Sequence, residues 1–404
     1  MSRNKSRKPK PEEPRVLKAR HKRDYLARIK MVCDSLGGPG WFELIPKEDL
    51  DIIYEKRYPP LTVKLAPGMA IGQPRWERYR QIFQSLLDFP SALSGTIEIP
   101  FKIMLCEGLS LLHFIAMMAQ YRFPRSEELR QAFRPYLITE RSRYQQLKDE
   151  MSQLLFAMDV RNGNYHEGFL SADATKTNLD IVGAADNAIF IQLNKPVVSS
   201  VTINGRKRDI VALQRPVPHG KTIQVSFKPS AIGLVAAIDN ELPVYLQRHA
   251  LHRLDERLGL QAENVHSHLF FSLFNQPVDY VKGTDHSLIA FYMYEHKVGY
   301  LLTTLHEDKL VIRSFLFLTN DGTPEGKKLR QLTRLEKFDK KYLGIDKLST
   351  FTAYGIDQDE ELSAIFRKAG CGPLLEARYL RAIALAYTPP RDKGTLHKYL
   401  NHHD

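Results

Sequence analysis

Cysteine is scarce: Cys33, Cys106 and Cys371 are the three in a chain of 404 residues. They are far apart, odd in number and without CxxC spacing. That excludes a disulfide framework and suits a reducing compartment. Long uninterrupted apolar runs are also missing. The most apolar stretch, "IPFKIMLCEGLSLLHFIAMMA" over 99–119, is broken by Lys102, Glu107 and His113, so it reads as a buried core helix and not as a membrane span. No charged-then-apolar leader opens the chain. The expectation is a cytoplasmic protein with no membrane partner. Several catalytic signatures are lacking too. There is no HExxH and no GxSxG. "HGKT" at 219–222 imitates the end of a phosphate-cradling loop. Arg215 stands where such a loop needs its first glycine, however, and the alternating "KTIQVSF" that follows reads as a strand where a helix is required. No metal and no cofactor is expected.

Positive charge is abundant and unevenly placed. The net charge is +12, with 43% hydrophobic and 26% charged residues, a globular composition. Residues 1–24 hold ten Lys/Arg, including Arg3, Lys5, Arg7, Lys8, Arg20, Lys22 and Arg23, against Glu12, Glu13 and Asp24. This nearly apolar-free arm is expected to be disordered and to attract polyanions such as RNA or DNA through counterion release. It could equally be a solubilising tail.

The predicted fold class is α+β. Residues 25–160 read as a helical domain. "PRWERYRQIFQSLLDF" places Pro74 at a first helical position, and Thr139 is the expected N-cap of a long amphipathic helix. Residues 161–230 read as a linker, "RNGNYHEGFLSADATKTN", followed by a β-rich region in which Asn204–Gly205 marks a hairpin turn. Over 231–320, "LPVYLQRHALHRLDERLGL" and "AENVHSHLFFSLF" read as helices. "SLIAFYMYEH", "VGYLLTTLHE" and "DKLVIRSFLFLT" follow as an antiparallel meander. Residues 321–404 return to helix, opening with Thr323 as N-cap and Pro324 at the first position, with Leu329, Leu332 and Leu335 as core contacts. Lys327, Lys328, Arg330 and Arg334 lie along this helix as a solvated face or a second phosphate-tracking surface.

The stretch "RHALHRLDERLGL" has ionisable groups at four-residue intervals. Positions four apart nearly eclipse on a helix, so Ala250, Leu254 and Leu258 form an apolar ridge. His249, Arg253 and Arg257 form a second ridge about 100° away. Glu256 can pair with Arg253 or His252. Arg313 sits mid-strand in "KLVIRSFLF" and by alternation shares a face with Val311, Phe315 and Phe317. Seven of the 14 histidines fall between 249 and 306. His266-x-His268, with His249 and His252, raises a zinc site as a weaker alternative.

On these residues a resemblance can be named. The helix followed by a meander resembles small bacterial domains with a His-Ala-x-x-Arg-x-x-x-Arg helix, which are similar to the BrnT and RelE-type toxin ribonucleases. The match falls on His249, Ala250, Arg253, Glu256, Arg257 and Gly259. The resemblance implies metal-independent RNA cleavage in which the 2′-hydroxyl attacks the adjacent phosphate. His249 or Glu256 would be the base, and Arg253, Arg257 and Arg313 would stabilise the phosphoryl oxygens. A protein inhibitor or a scaffold partner would then be a further partner. The competing expectation is a non-catalytic interaction or scaffold protein of a mobile element carrying a degenerate toxin-like fold.

Overall fold

The computed structural model describes residues 13–94, 98–137, 141–177, 187–259, 262–274, 277–377 and 388–401. It is α+β, with helical N- and C-terminal parts and a mixed sheet between them. The chain divides into two compact units. The first comprises Met1–Met158 and Ala172–Gln192, the second Asp159–Ser171 and Leu193–Asp404.

The first unit is built on helices α1 (Pro14–Gly37), α2 (Lys47–Glu55) and α3 (Gln73–Leu87), with strand β1 (Thr62–Leu65) between the last two. Of the apolar run 99–119, residues 101–117 are helical, as expected, while Pro100 bridges Pro90 and Met118 is extended. The helical part comprises α4 (Phe101–Ile103), a π turn over Met104–Gly108 and α5 (Leu109–Met117). Helices α6 (Ser126–Phe133) and α7 (Arg141–Arg161) follow. Tyr25, Ile29, Tyr79, Phe83, Phe101, Leu111 and Phe133 are all buried. Helix α1 begins at residue 14, so the segment from Pro14 to Asp24 is helical, not disordered as its composition suggests. Pro14 suits the first turn, and the Lys/Arg-rich sequence has good helix propensity once Tyr25, Ile29, Val32 and Leu36 anchor the following turns. Residues 1–12 of the arm lie outside the described residues, as does Thr139.

Residues 161–177, expected as a linker, form β2 (Gly163–Asn164) and β3 (Gly168–Lys176) instead. Strand β4 (Ala188–Asn194) runs parallel to β1, with Thr62 beside Ala188 and Leu65 beside Ile191. The second unit continues with β5 (Val198–Ile203), β6 (Arg206–Ala212), β7 (Gln214–Val217), β8 (Lys221–Gln224), β9 (Ser226–Phe227) and β10 (Leu242–Gln247). Helices α8 (Arg248–Leu258) and α9 (Ala262–Phe274) come next, then β11 (Tyr280–Lys282), β12 (Ser287–Met293), β13 (His296–His306) and β14 (Lys309–Phe317). The last part is helical: α10 (Pro324–Thr333), α11 (Lys337–Leu343), α12 (Leu348–Ala353), α13 (Glu360–Lys368), α14 (Gly372–Glu376) and α15 (Lys393–Asn401).

The sheet of this unit runs β11-β12-β13-β14-β10-β6-β5. The meander β12-β13-β14 is antiparallel as the short turns predict, whereas β10 lies parallel to β14 and antiparallel to β6. "LPVYLQ" is therefore a central strand, not the start of a helix; its Val244, Tyr245 and Leu246 are buried between two neighbours. One face of the sheet carries the main core, which includes Ala250, Leu254 and Leu258 from α8, Leu269 and Leu273 from α9, and Leu329, Phe351 and Phe366 beyond. The other face holds a smaller cluster of Val201, Ile203, Ile210, Ala212, Tyr245 and Val311. The single helix expected after the meander is two. Arg334 adopts a left-handed conformation with φ 58° that ends α10, and a reciprocal cap between Glu336 and Asp339 starts α11. Thr323 caps α10 as predicted, accepting a hydrogen bond from the Gly326 amide. Leu329 and Leu335 are fully buried, but Leu332 is exposed.

Candidate anion-binding cleft

Three local features bring cationic side chains to one place. The first is the β5–β6 hairpin. Asn204 and Gly205 both take positive φ, 52° and 70°, the geometry of a two-residue turn that matches strand twist. Glycine tolerates this without strain and asparagine is among the few residues that visit it. The turn sets the register: Ile203 lies opposite Arg206 and Val201 opposite Arg208. Side chains alternate, so Arg206 and Arg208 share the face of buried Ile210 and Ala212.

The second feature is a bulge in β14. Thr303 pairs with Ile312 and Leu302 with Ser314, which leaves Arg313 without a partner residue on β13. The extra residue shifts the alternation. Leu310 and Ile312 point into the main core before it, and Phe315 and Phe317 do so after it. Arg313 therefore shares a face with Val311, as simple alternation predicts, but not with Phe315 and Phe317. The bulge turns it and Ser314 into the cleft. The third feature is the start of α8. Ala250, Leu251, Leu254 and Leu258 bury one side, and Gly259 ends the helix with φ 64°. This leaves His249 exposed at the helix's first turn, directly after β10.

Arg206, Arg208, His249 and Arg313 line a single cleft of about 630 Å³, with Asn204, Gln247 and Ser314 as neutral polar groups and Ile203 and Leu302 as apolar wall. No carboxylate lines it. Among the described residues none of the three arginines makes a hydrogen bond or ion pair. Asp285, on which the charge of Arg313 acts, is engaged by His286 at 3.0 Å. The His249 pKa is lowered, first by desolvation and then by the charges of Arg253, His252 and Arg208, so its imidazole is neutral at pH 7. The helix N-terminus beside it favours the same neutral form.

Of the expected catalytic set, His249 and Arg313 meet here and the others do not. Arg253 touches His249, Nε to Nε2 at 3.5 Å, but its Nη1 donates to Glu256 at 2.5 Å. Arg257 is ion-paired with Asp346, whose side chain is only 9% exposed, and also donates to the Asp346 carbonyl at 3.2 Å. Three guanidinium groups from α8 and β14 thus do not converge. Two of them are neutralised by carboxylates, Arg253 within its own helix and Arg257 by a residue far along the chain. Arg206 and Arg208 take their place. Two cations on the apolar face of a hairpin whose register the Asn-Gly turn dictates were a readable signal for them.

The other basic residues separate in the same way. Lys22 pairs with Asp51 at 2.5 Å and Arg23 lies 3.5 Å from Asp24, both on helix α1 together with Arg20. Arg3, Lys5, Arg7 and Lys8 lie outside the described residues. Lys327 and Lys328 are exposed on α10, Arg330 pairs with Glu336 at 2.6 Å, and Arg334 is the exposed residue that ends the helix. His266 and His268 sit on α9, the helix the sequence pattern predicts, and both are buried. The His266 ring packs edge-on to Tyr165 and Phe169, and its Nδ1 is 3.0 Å from the Tyr165 hydroxyl. Burial lowers its pKa to about 3 and that of His268 to about 4. Among the described residues no three His, Cys, Asp or Glu side chains gather as metal ligands, and no helix is long and apolar enough to cross a membrane.

Comparison of the chain with protein-family models, with curated proteins and with solved structures finds no match. The toxin-like resemblance gains no support from these comparisons, and the cleft has to be argued from its own chemistry.

Proposed function

We propose that the cleft binds the phosphodiester backbone of RNA or DNA, and that the chain is a nucleic-acid-binding protein. The observation that carries this reading is the set of three arginines, free of carboxylates, around one neutral histidine. Guanidinium groups bind phosphate oxygens bidentately, and a charge-assisted hydrogen bond contributes about 1.5–3 kcal/mol. A bulge and a tight hairpin fix the backbone from which they project, which lowers the ordering cost of binding.

Binding is favoured over cleavage. RNA cleavage without a metal needs one group to accept the 2′-hydroxyl proton and another to protonate the leaving oxygen. His249 can serve as one of these. Glu256, the other candidate, is held by Arg253 and does not line the cleft. The toxin-like module is accordingly proposed as a binding version of that fold.

The test is fluorescence anisotropy with labelled mixed-sequence RNA and DNA across a salt series. Three phosphate contacts give a log–log salt slope of about −2 to −3. Arg206→Ala, Arg208→Ala and Arg313→Ala should each weaken binding and make the slope shallower by roughly one. Undetectable binding at low salt, or three variants that bind like the parent, would remove the reading. Labelled RNA incubated in EDTA should stay intact.

A further inference from the structure

We infer that the exposed face of α11 carrying Phe338 and Tyr342, edged by the half-buried Tyr399 of α15, stacks the unpaired bases of a single-stranded nucleic acid. This inference rests on the nucleic-acid reading of the cleft and adds which form of nucleic acid the protein takes. Phe338 and Tyr342 are 79% and 66% exposed, unusual for aromatic rings. They stand four positions apart, so both rings project from one side of α11. The half-buried Tyr399 of α15 packs against the main core and backs Tyr342, its ring centroid 5.8 Å from that of Tyr342.

The platform is rigid. Lys340, between the two rings in sequence, is buried and ion-paired with Asp321, and it donates to the Gly326 carbonyl at 2.9 Å. Leu343 is buried, the Glu336–Asp339 cap closes one end of α11, and Gly344 with φ 70° closes the other. The helix that carries the exposed rings is therefore anchored and is not a frayed turn.

Charge identifies the occupant. Lys337 and Lys341 flank the rings on α11 and Lys398 precedes Tyr399, all three exposed. Among the described residues none of these lysines has a carboxylate partner. The acids of the segment are occupied, Glu336 by Arg330 and Asp339 by the amide of Glu336. Rings that offer a π-face, interleaved with unpaired ammonium groups, match alternating bases and phosphates. A duplex hides its base faces and would gain only the charge.

The experiment uses the full chain and a short labelled mixed-sequence DNA strand, alone and as its duplex, in anisotropy titrations at one salt concentration. The single strand should bind more tightly. The double variant Phe338→Ala/Tyr342→Ala should lose about tenfold or more for the strand, from about 1–3 kcal/mol per stacked base, with duplex affinity unchanged. Phe338→Tyr/Tyr342→Phe should retain strand binding. Both side chains are solvent-exposed, and an unchanged circular dichroism spectrum checks that the variants fold. Equal affinity for strand and duplex, or an alanine variant that binds the strand like the parent, overturns the stacking proposal and leaves the cleft intact. So does a parent dimer, seen by sedimentation, that the alanine variant abolishes, because the face would then be a protein contact. No binding to either form removes the cleft reading as well.

Discussion

Arg257→Ala separates a structural arginine from a ligand-binding one. The Arg257 and Asp346 side chains are 11% and 9% exposed, and the pair ties α8 to the turn between α11 and α12. Removing one partner of a buried pair strands the other charge, at a cost of about 3–5 kcal/mol. Tryptophan fluorescence cannot follow this, because Trp41 and Trp76 both lie in the first unit. Hydrogen exchange of the α8 and β14 amides can. If those amides exchange through opening of the second unit, protection should fall by roughly two to three and a half orders of magnitude, at about 1.4 kcal/mol per tenfold. Asp346→Ala should behave alike. Arg257→Met/Asp346→Leu should lose much less than the two single variants together, because neither charge is then left unpaired. Arg313→Ala should leave protection within about 0.5 kcal/mol, since Arg313 makes no ion pair to break. A change below about 1 kcal/mol for Arg257→Ala, with additive behaviour in the double variant, would refute the assignment of Arg257 to the scaffold.

Two further outcomes follow from the histidines. His266 has a folded-state pKa of about 3, below the unfolded value of about 6.5, so the unfolded chain binds the extra proton between those values. Stability of the second unit should be complete above pH 6.5 and fall as pH drops toward 3, and His266→Gln should move the acid midpoint of α9 exchange downward; an unshifted midpoint would contradict this. His249 starts with a lowered pKa, and a bound phosphodiester would raise it, so binding takes up protons. Affinity should strengthen as pH falls below 7, the gain being complete below the free-state pKa and absent above the bound-state one; His249→Ala should flatten this profile, and a parent profile that is already flat would remove His249 from the site.

What could be read from the residues followed local rules. Asn204–Gly205 announced a hairpin, Thr323 and Pro324 a helix start, and the three alternating runs after residue 286 an antiparallel meander. What could not be read depended on partners remote in sequence. Strand β10 looked like the first turns of α8 because "LPVYLQRHALHRL" has no break; its pairing with β14 and β6 overrides that continuity. Arg257 looked available because Asp346 is 89 positions away. Alternation keeps Arg313 on the face of Val311 but misassigns Phe315 and Phe317, because one inserted residue reverses every alternation after it and a bulge leaves no mark in composition. Arg206 and Arg208 were within reach, since turn type and register together assign them to the apolar face.

The chain leaves the first unit after residue 158, returns for residues 172–192 and leaves again. Strand β1, made early, waits for residues 188–191 before it gains its parallel neighbour. On the ribosome this unit is incomplete until nearly half the chain has emerged. An expression boundary drawn at the end of α7 would yield a helical fragment with an open strand edge, prone to self-association. Dissecting the protein therefore calls for a fusion that restores the returning segment, not for a single cut.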